Sequence, residues 1–159
     1  MKTGRGALVR AEPWLHRATF AVAMVGLATS GFLAWEYARG GTITCPVAGT
    51  GCDDVRGSEF SAFFGIQVPW LGLAYYATFA VLKILRLEFD TRRGLLDRVS
   101  IALAMIGVTA SVMFTYLEAF VIGAWCFWCL VSAVCTVGLL ALESSVQAAQ
   151  RAPGVGHET

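Results

Sequence analysis

The stretch VSIALAMIGVTASVMFTYLEAFVIGAWCFWCLVSAVCTVGLLAL, residues 99–142, decides how the chain must be read. It carries a single charged residue, Glu118, which divides it into the uncharged runs Val99–Leu117 and Ala119–Leu142. Each run is near or above the roughly 18–20 apolar residues that cross a ~30 Å hydrocarbon core at ~1.5 Å per residue. A membrane β-barrel would show short strands alternating in and out instead. Near the start of the second run lie Gly123 and Cys126-Phe127-Trp128-Cys129. The stretch therefore predicts a helix, a tight turn, and a second helix opened by a C-x2-C pair.

Two further runs, Ala18–Trp35 and Phe60–Leu82, also lack Asp, Glu, Lys and Arg. Over 159 residues the chain is 57% hydrophobic and 14% charged. A soluble domain carries about 25% charged residues, so too little polar surface exists here to cover a water-soluble globule. The fold class expected is an all-α integral membrane protein, a four-transmembrane-helix bundle forming one domain over residues 1–146. The first run, preceded by Lys2, Arg5 and Arg10, is longer than the ~7–15 residues of a signal-peptide core and no A-x-A site follows, so it is read as retained. The tail from Gln147 to Thr159, with Pro153, Gly154 and Gly156, is expected to fray.

Basic residues set the orientation. Lys2, Arg5, Arg10, Arg17, Lys83, Arg86, Arg92, Arg93, Arg98 and Arg151 fall on one side, against Arg39 and Arg56 on the other. Both termini are expected in the cytoplasm, with the first and third connections outside. The net charge of +1 gives no case for nucleic-acid binding, because the basic residues are a topology signal. The outer connection from Arg39 to Val68 opens with Gly40 and Gly41, and Gly49 and Gly51 lie between its cysteines, which marks turns. Asp53 and Asp54 suit the first turn of a short helix. Phe60, Phe63, Phe64 and Ile66 predict that this helix lies in the membrane interface before Pro69 starts the second span. Trp125 and Trp128 suit the aromatic belt at the outer interface.

Four of the five cysteines, Cys45, Cys52, Cys126 and Cys129, fall on the outer side, where disulfides persist. They form a C-x6-C and a C-x2-C pair. Residues three apart at a helix start share a face, and the positive helix end favours a thiolate there. Such a pair is better suited to exchange than to bracing, and the glycine-bearing loop lets the first pair move, as thiol–disulfide exchange requires. Two rivals are a pair of structural bridges and a four-thiolate zinc site. The C-x6-C half is unusual for zinc and no histidine supports it, so no metal is expected. Cys135 lies six residues past Cys129, about 9 Å deeper at ~1.5 Å per residue. It reads as a small core hydrophobe.

These features resemble the vitamin K epoxide reductase family in its stand-alone bacterial form. The resemblance runs from about Trp14 to Glu143. It rests on C-P-V-A-G-T-G-C from Cys45 to Cys52, Ser58 six residues on, G-I-Q-V-P-W-L-G-L-A-Y-Y from Gly65 to Tyr76, and Y-L-E-A-F-V-I-G-A-W-C-F-W-C from Tyr116 to Cys129. The family implies a relay: a thioredoxin-like partner donates electrons at Cys45, Cys52 attacks the disulfide at Cys126, and Cys129 sits against a membrane quinone, ubiquinone or menaquinone. Ser58 resembles the family's loop hydroxyl near that centre. Animal members carry an asparagine where this chain has Val68 and a tyrosine where it has Ala133, departures that point away from epoxide reduction and anticoagulant sensitivity. The chain has no room for the thioredoxin-like domain fused in some members, so a separate periplasmic or extracytoplasmic partner is expected at a bacterial inner membrane.

Within this picture Phe64, Trp70, Tyr75, Tyr76 and Tyr116 are candidates to line a quinone pocket with Cys129. Glu36 and Glu118 sit at the outer helix ends. Glu118 is a candidate for the proton path, although solvation at the interface is the plainer expectation. His16 and His157 fall on the cytoplasmic side, away from the chemistry. The alternative from another class is a non-enzymatic membrane scaffold with structural disulfides. The quinone-linked thiol oxidases of bacterial periplasms carry their C-x-x-C in the first outer loop rather than at the fourth helix.

Overall fold

A computed structural model describes residues 3–46, 51–88 and 93–151. Lys2, Gly49, Arg92, His157 and the tail beyond Arg151 lie outside the described residues. The elements are α1 (Thr3–Arg39), α2 (Gly51–Gly57), a 3-10 turn (Glu59–Ser61), β1 (Ala62–Phe63), β2 (Ile66–Gln67), α3 (Val68–Glu88), α4 (Arg93–Tyr116), a π-helical turn (Leu117–Ile122) and α5 (Phe127–Arg151). Four segments are long and apolar enough to cross a membrane: Trp14–Arg39, Val68–Arg86, Gly94–Ile122 and Phe127–Ala149. The expected four-span bundle is present, with the short helix α2 between its first two spans. α5 continues past Gln147 without a break to Arg151.

α1 packs against both α3 and α5, and α4 packs against α5, while the α3–α4 seam is the lightest of the four. Large apolar side chains such as Met105, Ile106, Val112, Met113, Val134 and Val137 stand on the outside. Such a surface suits lipid rather than water. At mid-height Ala23, Tyr76, Phe79, Ala104, Cys135 and Leu139 form one core. Cys135 thus packs as a hydrophobe, as its position in the sequence suggests. At the cysteine end a second core gathers Leu33, Ile43, Cys52 and Cys126.

The segment after α2 departs from the expected interfacial helix. Phe60 belongs to the 3-10 turn, whereas Phe63 and Ile66 pair with each other in an antiparallel hairpin. Its two-residue turn, Phe64-Gly65, has both residues at positive φ, 52° and 79°. That is the hairpin turn whose twist matches paired strands, and the glycine takes its half without strain. Phe64 consequently points outward, 93% exposed.

The far end of the bundle holds buried charge. Lys83 and Arg86, counted above with the connection after the second span, belong to the last turns of α3 and are buried. Lys83 Nζ meets Glu143 of α5 at 2.5 Å, and Arg86 Nε meets Asp97 of α4 at 2.7 Å. His16 of α1 also contacts Arg86. All four spans contribute. Charge at membrane depth persists only when paired in this way.

Candidate redox site

The loop after α1 is tied down before it reaches its cysteines. The Ile43 amide donates to Asp53 Oδ1 at 2.9 Å, Arg56 donates to the Gly41 carbonyl, and the Trp128 indole donates to the Thr44 carbonyl at 3.0 Å. Cys45 and Cys52 are joined by a disulfide, the pair expected from the C-x6-C spacing. Cys52, in the first turn of α2, faces inward and is 2% exposed, as is Cys126. The two cysteine pairs therefore meet in one buried cluster, with Cys45 and Cys129 at its edge. Gly51 makes this approach possible. A Cβ there would lie 2.3 Å from the Trp125 carbonyl oxygen, so a larger residue would lift α2 off the start of α5.

Cys126 and Cys129 are not bonded to each other; the Cys129 amide donates to Cys126 Sγ at 3.3 Å. This is the thiolate-favouring helix start anticipated from the C-x2-C motif. The Cys126 thiol is held below its ordinary range, chiefly by a hydrogen bond from the Cys129 side chain and further by the amides of Cys129 and Trp128. Burial and the nearby Glu118 charge act in the opposite direction.

Glu118 corrects the expectation of a solvated interfacial carboxylate. It is 3% exposed, and its Oε2 accepts a hydrogen bond from the Cys126 amide at 3.2 Å. Glu118, Cys126 and Cys129 bring one carboxylate oxygen and two sulfurs within 4.8 Å of one another. The cause is the π-helical turn ending α4. Gly123, left-handed at φ 70°, and Ala124 both donate to the Glu118 carbonyl. A π-turn shifts the residues that follow around the helix axis, and such turns recur at functional sites.

Cys129 and Glu118 wall one lobe of a cavity, about 100 Å³, together with Ser30, Val55 and Phe60. A second lobe of about 320 Å³ extends along the α3–α4 seam, lined by Tyr75, Tyr76, Gly107 and Thr136. The lobes share Val68, Gly72, Ser111, Phe114 and Ser132 as walls. Tyr76 is spoken for: its hydroxyl donates to the Ser132 carbonyl at 2.9 Å. The Tyr75 hydroxyl is buried without a hydrogen-bond partner among the described residues and abuts Gly107, where any Cβ would collide with it.

Three expected pocket residues stand elsewhere. Phe64 is at the hairpin tip, and Trp70 and Tyr116 are 46% and 58% exposed on the outside of the bundle. On α3 the inward positions are Pro69, Gly72 and Tyr76, at helical spacing, which turns Trp70 outward. Tyr116 stacks on Phe120, centroids 4.9 Å apart, rather than on the cavity. Ser58 donates to the Val55 carbonyl at 2.7 Å, closing the end of α2. The walls that sequence reading missed, Ser30, Gly72, Ser111 and Ser132, are small residues. Their signal is recurrence on the inward faces of the helices, where close backbone approach favours small side chains.

A family model for the vitamin K epoxide reductase family matches residues 17–144. A thiol-disulfide oxidoreductase of Arabidopsis thaliana is 29% identical over 118 residues, which are 70% of this chain and 31% of the plant protein. The chain thus spans about a third of that relative's length.

Proposed function

The chain belongs to the vitamin K epoxide reductase family, and we propose that it is a membrane thiol oxidoreductase that takes electrons from a separate thioredoxin-like protein and delivers them to a quinone, so promoting disulfide formation outside the cytoplasm. The observation that carries this reading is the shared burial of Cys52 and Cys126, the inner members of two cysteine pairs, beside a cavity walled by Cys129. Structural bridges need no such meeting. The orientation follows from the basic residues, with both termini cytoplasmic and the cysteine end outside a bacterial cell membrane.

The relay runs by exchange. A partner thiolate attacks Cys45, breaking the Cys45–Cys52 bond and freeing the Cys52 thiolate. Cys52 attacks Cys126 in the disulfide form of the C-x2-C pair, and Cys129 leaves as the reduced sulfur. The partner's second thiolate then releases Cys45, which reforms its bond with Cys52 and leaves Cys126 and Cys129 reduced. Each step forms one S–S bond and breaks one.

The cavity fits a quinone on two counts. Its walls are apolar and its larger lobe reaches the low end of the roughly 300–1,000 Å³ typical of small-molecule sites. The buried, unpartnered Tyr75 hydroxyl offers a donor to a carbonyl oxygen. Cys129, Tyr75 and Tyr76 would hold the ring, ubiquinone or menaquinone, which supplies the two-electron acceptor when bound.

Two measurements test the reading. In Cys129→Ala the Cys126 thiolate can bond to Cys52 by displacing Cys45 from the Cys45–Cys52 disulfide, and no neighbouring Cys129 thiol then resolves that bond. Mass spectrometry should therefore recover the inter-pair peptide; recovering Cys45–Cys52 alone would contradict the hand-off. Lipid extraction of the detergent-purified protein should yield a stoichiometric quinone. For the orientation, membrane-impermeant maleimide should label Cys45 or Cys52 in reduced whole cells. Labelling only after lysis would reverse the topology.

A further inference from the structure

Glu118 takes no part in the exchange steps above, yet it is the carboxylate that the π-helical turn carries into the cysteine site. Burial of a carboxylate at this depth is unfavourable unless it faces a cavity or is used. Its partners are specific: the Cys126 amide at 3.2 Å and, within 4.8 Å, both sulfurs of the C-x2-C pair. It also walls the same cavity lobe as Cys129. The Tyr37 hydroxyl of α1 feels the charges of Cys126, Cys129 and Glu118, and the Arg56 guanidinium of α2 stands over the Tyr37 ring at 5.4 Å. Neither carries a carboxylate.

We propose that Glu118 is the acid–base residue of the Cys126–Cys129 pair, giving a proton to the Cys129 sulfur when their disulfide is opened and taking it back when the disulfide reforms. This rests on the relay described above but not on the identity of the electron acceptor. On opening, the Cys52 thiolate bonds to Cys126, the Cys126–Cys129 bond breaks with its electron pair on Cys129, and the Glu118 carboxyl proton moves to that sulfur. The products are a Cys52–Cys126 disulfide, a Cys129 thiol and a Glu118 carboxylate. On closing, the Cys126 thiolate and the Cys129 thiol form their bond, the two electrons pass to the acceptor, which draws its own protons from solvent, and the Cys129 proton returns to Glu118. The placement is the reason a carboxylate serves. The Glu118 oxygen and the Cys129 sulfur lie within 4.8 Å of each other and wall the same cavity lobe, so a positioned side chain can pass the proton directly to that sulfur.

The test uses the full chain in detergent, reduced with dithiothreitol, and reads protonation directly. The infrared difference spectrum between the dithiol and disulfide forms should show a carboxylic-acid C=O band in the disulfide form that is lost on reduction. The band should vanish from the difference in Glu118→Gln and persist in Glu36→Gln, which alters a carboxylate at the same end of the bundle. A wild-type spectrum with no carboxyl change overturns the proposal, whether or not any variant folds. Turnover with dithiothreitol and a short-chain ubiquinone gives the second reading. E118Q should lose at least about 100-fold, the lower range for general acid–base catalysis, and with it the acid limb of the pH profile. Cys135→Ala, altered in the mid-height core, should be unchanged. Wild-type rates and pH dependence in E118Q overturn the proposal. A wild-type carboxyl change without any quinone reduction would leave Glu118's role standing and sink the quinone reading instead.

Discussion

At the residue scale the chemistry is concentrated in sulfurs that differ by their hydrogen bonds. Cys126 accepts from the Cys129 amide and side chain at the opening of α5. Its thiolate should therefore persist below the ordinary cysteine range near ~8.5. In the reduced protein, alkylation of Cys126 by iodoacetamide should show a half-point below that value. Cys129→Ala removes the largest stabilising contact, so the half-point should move upward. The sign is fixed by which form the contact favours: a hydrogen bond to the thiolate lowers the pKa and its loss raises it. Tyr75 makes the opposite kind of prediction. Its hydroxyl has no protein partner among the described residues, so Tyr75→Phe should leave thermal stability unchanged. If the hydroxyl donates to the quinone, KM for a short-chain ubiquinone should rise about 5–10-fold, the equivalent of one hydrogen bond of about 1 kcal/mol.

At the scale of elements, α2 is the piece that joins loop chemistry to membrane chemistry. Its seven residues are too few to be stable as an isolated helix. It is held by Asp53 on the Ile43 amide, by Arg56 on the Gly41 carbonyl and by the bond from Cys52 to Cys45. Its seat depends on Gly51. Gly51→Ala would set a methyl 2.3 Å from the Trp125 carbonyl, a backbone atom that cannot swing aside. The variant should lose roughly 1–3 kcal/mol by overpacking, and trapping of the Cys52–Cys126 bond in the C129A background should fall with it. If trapping survives at wild-type yield, α2 is not what brings the pairs together. The hairpin after α2 is the element that pattern reading misassigned. Its apolar residues suggest an amphipathic helix, but a two-residue turn at positive φ gives a strand pair instead.

For the whole molecule, the two ends of the bundle are built differently. The cysteine end joins its helices through small side chains, sulfurs and a cavity, whereas the far end joins them through Lys83–Glu143 and Arg86–Asp97. These pairs cross the sparse α3–α4 seam and tie α3 to α5. Removing one partner of such a buried pair is far worse than removing both. Lys83→Met should therefore lower stability in detergent by roughly 3–5 kcal/mol, and Lys83→Met with Glu143→Leu should recover most of it. A thermal-shift series on purified protein decides this. Equal losses in the single and double variants would mean that the pair contributes directional contacts that apolar contact cannot replace.

What the sequence determined alone was whatever follows from local composition and spacing. Uncharged runs must form helices in lipid because no water is present to satisfy free backbone groups. The C-x6-C and C-x2-C spacings, with the turn at Gly123, were enough to anticipate a disulfide loop facing a helix-borne pair. What only the tertiary structure decided depends on rotation about helix axes and on neighbours distant in sequence. The direction in which Glu118 points is set by a π-turn that no composition announces. Trp70 and Tyr116 face outward because helix phase, not aromatic character, chooses the lining. Lys83 and Arg86 look like loop charges until Glu143 and Asp97, from other helices, are brought against them. A pairing across the bundle is a property of the assembled helices, so it is not written in any one of them.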